Sequence, residues 1–267
     1  MKNVVRKFLT ILLIAVFLVS TGIFALRFWD RHNSEEIYSQ ALELAGIPSE
    51  DLLSQPIEIP QATQLLEKAQ AEIDPNIQVL RSIRLSSLKN INPDVVGWIC
   101  IPDTKINYPI TQGQDNEYYL SHAWNNKSNF VGAIFLETMN CADFTDFNTI
   151  LYGHNMKNGS MFAGLHDYKD PAYWAQHPYV YLVTAEGILR YEIFSSYNAD
   201  VDSKTYGLSF RQDTTREAFI QMALENSDID TGLEPAITDR ILTLSTCTGF
   251  GYSQRRVVHA YLPVTPQ

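Results

Sequence analysis

The sequence predicts a mainly β domain, a barrel or a two-sheet sandwich, with helices added before it and one helix inside it. From Pro93 onward, short β-rich runs follow one another between turn residues: VVGWICI, GAIFLE, FNTILYG, YVYLVT, LRYEIFSSY, RILTLST and RRVVHAYL. Seven such runs over roughly 170 residues point to a barrel or sandwich and away from a parallel α/β sheet. One helical pattern interrupts them, TTREAFIQMALEN, in which Thr214 and Glu217 have capping-box spacing and Phe219, Met222 and Ala223 form an apolar stripe. Before Pro93 the periodicity is helical instead.

Taken in order, the first element is an apolar helix. Phe8 to Leu26 reads FLTILLIAVFLVSTGIFAL, with no charged side chain. At 1.5 Å rise it is roughly 28 Å long, about the hydrocarbon thickness of a bilayer. Lys2, Arg6 and Lys7 precede it, while Asp30, Glu35 and Glu36 join Arg27 and Arg31 beyond it. That bias places residues 1–7 in the cytoplasm and the rest outside. A cleavable signal peptide would have a shorter apolar core and a small-residue cleavage site, so the expectation is a retained anchor over 8–26. Residues 27–90 read as a helical stalk. SEEIYSQALELAG carries Ile37, Ala41 and Leu44 on one face and closes at Gly46 and Pro48; QATQLLEKAQAEI and NIQVLRSIRLSSLKN follow, parted by Asp74-Pro75. The β-rich domain occupies 91–267.

Composition narrows the function. With 45% hydrophobic and 19% charged residues, the chain is neither disordered nor collagen-like. Five of its 20 basic residues but only one of its 30 acids lie in the first 32 positions, leaving 15 basic against 29 acidic residues in the remainder. So acidic a surface repels phosphate backbones, and no nucleic-acid partner is expected. Cys100, Cys141 and Cys247 have neither metal-knuckle spacing nor the even number of a disulfide framework. Cys100 lies in an apolar strand and reads as a buried small hydrophobe, Cys141 in a polar loop.

Cys247 is placed differently. ILTLSTC alternates Ile241, Thr243, Ser245 and Cys247 on one face with Leu242, Leu244 and Thr246 on the other, and TGFGYSQ follows as a loop. A thiol at a strand end suits a nucleophile held by a rigid scaffold, but spacing alone favours a buried cysteine that finishes a core strand. A nucleophilic thiol needs a base or a cation beside it, since a free thiol with pKa near 8.5 is mostly protonated at neutral pH. His154 ends the run FNTILYGHNM, also at a strand end, whereas His122, His166 and His177 read as solvated and His259 lies inside the last strand. Arg255 and Arg256 open that strand on opposite faces. Arg256 shares its face with Val258, Ala260 and Leu262, which favours Arg255 for a polar groove.

These residues resemble a known family. TLSTC, the downstream arginine and LYGHNM are similar to the class B sortases, membrane-anchored cysteine transpeptidases of Gram-positive bacteria. The likeness runs from about Asn90 to Leu262 through INPDVVGWICIPDTKINYPI, DNEYYLSH, GAIFLE, NTILYGHNMKNGSMF and the terminal TLSTC to VVHAYL, in family order. It implies a closed eight-stranded β-barrel with N-terminal helices and a long helix between the sixth and seventh strands. It also implies that Cys247 is the nucleophile, that His154 is the family histidine and that Arg255, ahead of a variable residue and Val-Val-His, is the family arginine. Asn116, Leu120, Tyr152 and Ser245 match positions lining the substrate groove. No metal or cofactor is expected. The implied partners are secreted proteins with a C-terminal sorting motif, a cell-wall peptide amine and the membrane.

Two other classes are weighed. A silent binding module would lose the Cys, His or Arg, and all are present. A papain-like hydrolase places its Cys early at a helix start, whereas here the order is His, Cys, Arg with the Cys on a strand. Leu262-Pro263-Val264-Thr265-Pro266 looks like a sorting signal, but Pro replaces the Gly and neither an apolar tail nor basic residues follow it. The chain reads as enzyme, not cargo.

Overall fold

The computed structural model describes residues 2–47, 74–249 and 253–263. The helical reading of 61–73 and the Pro-rich tail after 263 lie outside the described residues. Eight strands, β1 (Val95–Cys100), β2 (Asn107–Thr111), β3 (Ile134–Leu136), β4 (Asn148–Tyr152), β5 (Tyr179–Val183), β6 (Ile188–Asp200), β7 (Arg240–Cys247) and β8 (Gln254–Leu262), close into a barrel in the order β1-β2-β3-β4-β7-β8-β6-β5. The pairs β2·β3 and β4·β7 are parallel and the others antiparallel. Closure comes from β1 against β5, with Trp98 opposite Val183 and Cys100 opposite Tyr181, which settles barrel over sandwich. Strand β2 is the one the β-rich runs do not reveal. It is short, and Pro109, opposite Trp98, cannot donate to the ladder.

Both faces of the barrel wall are largely covered, so the strands read as nearly continuous apolar runs. Inside lie Ile99, Ile110, Leu151, Leu182, Leu244 and Val258, capped by Leu165 and Tyr168 from the 3-10 segment Ala163–Lys169. Against the outer face of β1 and β5, Trp98 and Tyr181 pack with Ile37, Ala41, Ala45 and Leu88 of the N-terminal helices. Against the outer face of β6 to β8, Phe194, Tyr197 and Val257 pack with Phe219 and Ala223 of the helix Asp213–Glu225, which lies between β6 and β7.

Local details depart from the sequence reading in three places. The anchor and the first stalk helix are one helix, Lys2–Ala45, because nothing between Leu26 and Ser34 breaks it. It ends as a Schellman motif: Gly46 is left-handed at φ +83°, and the N–H groups of Gly46 and Ile47 reach the carbonyls of Glu43 and Leu42. Residues 76–90 form two short helices, Pro75–Leu80 and Leu85–Lys89, because the Arg84 N–H between them is taken by the carbonyl of Ala45. The capping box at Thr214 and Glu217 does not form. The helix starts two residues earlier, after Gln212, and Thr215 donates back to the Gln212 carbonyl.

From Ile11 to Leu26 the long helix leaves its large side chains uncovered; Phe17 is 66% and Phe24 72% exposed. It is long and apolar enough to cross a membrane. From Ser34 onward it docks on the barrel instead. Ser34 donates to Asn129, Tyr38 to the carbonyl of Gly132, and Trp124 to the carbonyl of Ile37.

Candidate active site

Strand register brings the nominated residues together. Cys247 is the last residue of β7, and its direct partner across the antiparallel ladder is Arg255 of β8, so both side chains leave the same face. Arg256 points to the other face, where it is buried and paired with Asp228. On the other side of β7, the parallel pairing sets Tyr152 beside Ser245. The ladder runs one step further, with Gly153 N–H on the Ser245 carbonyl at 3.2 Å and Thr246 Oγ1 on the Gly153 carbonyl at 2.7 Å. His154 therefore leaves β4 at the level at which Cys247 leaves β7. All the residues nominated from the sequence, His154, Cys247, Arg255, Asn116, Leu120, Tyr152 and Ser245, line one groove of about 320 Å³.

The groove is built on hydrogen bonds that hold its walls. His154 Nε2 donates to the carbonyl of Leu120 at 2.7 Å, which leaves Nδ1 for other work. Gly132 makes room for that arrangement. It is left-handed at φ +66°, and a Cβ there would sit 2.6 Å from the Tyr119 carbonyl and 2.9 Å from the His154 ring. Behind Asn116 and Tyr152 stands Glu137, only 6% exposed. Its two oxygens accept from Asn116 Nδ2 at 2.8 Å each, from the Tyr152 hydroxyl at 2.9 Å and from the Met139 N–H at 3.2 Å. Asn116 Oδ1 meanwhile accepts from Thr138 N–H. Burial, and then the neighbouring Glu137 charge, push the Tyr152 phenol well above its ordinary pKa, so it stays a donor. Tyr206 is also raised by burial and shares a 2.9 Å hydrogen bond with Ser245.

Glu137 and Phe135 were not nominated from the sequence. A signal for Glu137 existed: it follows Phe135 by two residues at the end of β3, and Phe135 lines the groove. Nothing in the spacing pointed to Tyr206, which reaches the site from the 3-10 turn Lys204–Tyr206. His166 and His177 are not solvated surface histidines. Both are half-buried; His177 Nδ1 donates to the Pro102 carbonyl, and His166 Nε2 lies 2.9 Å from the carbonyl oxygen of Cys247. His122 stacks on Tyr118 with ring centroids 3.9 Å apart. All three cysteines are unpaired thiols, and burial pushes that of Cys100 up to about 12. Among the described residues no three His, Cys, Asp or Glu side chains gather as metal ligands.

A sequence model of the sortase domain matches residues 99–263. Sortase B of Listeria monocytogenes is 32% identical over 258 residues, 96% of each chain. The chain belongs to the sortase family. Among solved structures, the Staphylococcus aureus sortase B–substrate complex superposes with a TM-score of 0.69 at 25% identity, covering 89% of this chain and 100% of that one. A sortase B solved with triglycine gives a TM-score of 0.70 at 26% identity over 88% and 100%. This sortase is of class B, a cysteine transpeptidase on a closed eight-stranded barrel, with the groove opening where β4 and β7 end and β8 begins.

Proposed function

We propose that this sortase cleaves an NPxT-like sorting motif of secreted proteins after its threonine and joins the freed carbonyl to a cell-wall peptide amine. The observation that carries the reading is the cross-strand pair of Cys247 and Arg255 in one groove with His154. The Cys247 thiolate attacks the threonine carbonyl carbon, forming an S–C bond. Arg255, on the same face, donates to the developing oxyanion, where positioned donors lower a barrier most. The tetrahedral species collapses by breaking its C–N bond, and His154, as imidazolium, gives the proton to the departing amine. With Nε2 committed to Leu120, the atom that gives the proton is Nδ1. A thioester remains. An incoming amine attacks it, loses a proton to the same nitrogen, and displaces the thiolate as the new amide forms; water in its place gives hydrolysis.

Asn116, Leu120, Tyr152 and Ser245 form the substrate walls of this reading. The Asn116 amide and the Ser245 hydroxyl already bond within the protein, so they shape the groove more than they grasp a ligand. Support for the reactants comes from the relatives solved as a substrate complex and with triglycine. Support for placement comes from the apolar span and the cations Lys2, Arg6 and Lys7 before it. Residues 1–7 are then cytoplasmic, 8–26 cross the membrane, 27–90 form the helical stand, and 91–267 work outside.

The test uses the full chain in detergent with quenched peptides carrying NPxT, SPxT, PPxT and LPxT motifs, with and without triglycine. Cleavage lost in Cys247→Ala, a thioester seen by mass spectrometry, and ligated product only with the amine are the expected results. Turnover that survives Cys247→Ala would refute the assignment of the nucleophile.

A further inference from the structure

Strand β7 ends at Cys247 just where its parallel neighbour turns away. The last backbone bond between them is Gly153 N–H to the Ser245 carbonyl, two residues short of the thiol. The Cys247 carbonyl points to that side beyond the ladder, and a part-buried carbonyl needs donors from somewhere. Among the described residues it receives two side chains: Asn155 Nδ2 at 2.9 Å and His166 Nε2 at 2.9 Å.

Those nitrogens lie 3.0 Å from each other. An unprotonated Nε2 would set its lone pair against the carbonyl lone pairs, so the proton sits on Nε2 and both groups donate to one oxygen. Their mutual approach follows from sharing an acceptor that has two lone pairs.

Each donor is mounted on a rigid element. His166 belongs to the 3-10 segment Ala163–Lys169, whose Leu165 and Tyr168 are fully buried in the barrel core. Asn155 pairs across an isolated bridge with Met161, also fully buried. Asn155 is moreover the residue after His154, so its bond to Cys247 links the backbone of the thiol residue to that of the histidine.

We propose that His166 and Asn155 are positioning residues that clamp the Cys247 carbonyl and thereby set the direction of the thiol and its spacing from His154. The proposal rests on the reading of Cys247 as nucleophile. The carbonyl fixes ψ of Cys247, and with it the frame from which Cα–Cβ–Sγ departs at a strand end that has no further ladder to hold it. Misplacement of a reacting group by about 1 Å costs up to a hundredfold in rate. Neither clamp residue itself lines the groove, so substrate affinity is left alone.

The full chain in detergent is assayed as wild type, His166→Ala, His166→Gln, Asn155→Ala and Cys247→Ala, with kcat, KM and Tm for each. The expected result is a fall of at least about tenfold in kcat for His166→Ala and for Asn155→Ala, with KM within about twofold. His166→Gln, whose amide restores a donor at the same reach, regains most of the rate. The double variant His166→Ala/Asn155→Ala falls short of the product of the two singles, because both act on one oxygen. Alanine variants that keep kcat within twofold overturn the clamp, as does a loss that only tracks the melting temperature and that glutamine does not rescue. Should His166→Ala fail to fold, Asn155→Ala and His166→Gln decide by the same criteria. Residual activity of Cys247→Ala would instead refute the underlying reading of the nucleophile, whatever the clamp variants do.

Discussion

Glu137 shows how much of the groove is settled by single side chains out of reach of the chemistry. Both its oxygens are in use, and the donors it satisfies belong to Asn116 and Tyr152, which wall the groove. Glu137→Gln puts an N–H₂ against at least one of those donors, a mismatch of about 1–3 kcal/mol. The expected outcome is a KM for the sorting peptide raised several-fold with kcat within about twofold. Steady-state kinetics reads this, and an unchanged KM would count against the wall. Gly132→Ala acts on the other side. A Cβ at φ +66° costs about 1 kcal/mol in backbone strain and pushes on the His154 ring and the Leu120 carbonyl that holds it. A kcat down by about tenfold, with Tm lower by only a few degrees, is expected, measured by peptide turnover and calorimetry on the same preparation.

Among the elements, β8 carries a polar chain under the groove. Thr243 Oγ1 donates to Asn148 Oδ1, so His259 Nδ1–H donates to Thr243, and His259 Nε2 accepts from the Tyr197 hydroxyl, which also shares a hydrogen bond with Thr205. Asn148 Nδ2 closes the chain on the carbonyls of Thr205 and Gly207, the turn that delivers Tyr206 to Ser245. Full burial holds His259 neutral, with its pKa lowered to about 3 from 6.5. The folded pKa lies below the unfolded one, so the contribution of His259 is complete above pH 6.5. It is lost as pH falls toward 3, because the unfolded chain takes a proton that the folded chain refuses. Urea midpoints between pH 7 and 4 should therefore fall more steeply in the wild type than in His259→Gln, the difference approaching about 1.4 kcal/mol per pH unit below 6.5. Parallel pH curves would show that the histidine is not buried neutral. In the sequence His259 was legible only as a histidine inside the last strand, since nothing local says which groups across the barrel meet its ring.

At the scale of the molecule, the barrel and the long N-terminal helix form one piece. Ile37, Ala41, Ala45 and Ile47 are buried against Leu88, Trp98 and Trp124, so the C-terminal part of that helix belongs to the fold. Removing residues 1–47 exposes two isoleucines' worth of core, about 3–6 kcal/mol. That predicts a melting temperature on the order of 10 °C below that of a chain beginning at residue 30. Calorimetry of the two fragments checks it, and equal values would show that the helix merely leans on the barrel. The sequence by itself determined the β-rich class, the apolar helix, the acidic exterior and, through TLSTC, LYGHNM and the arginine before Val-Val-His, the family and the candidate residues. Those are properties of local pattern: alternation, length, charge and short motifs survive in one dimension. The one helix where two were expected, the split of residues 76–90, the failed capping box and the partners of Glu137 and His166 were decided only in three dimensions. Cys247 and His154 lie far apart in the chain and meet because β4 and β7 pair in parallel with Tyr152 beside Ser245. That register is chosen by which side chains fill the barrel's interior, a choice made jointly by all eight strands and written in none of them alone.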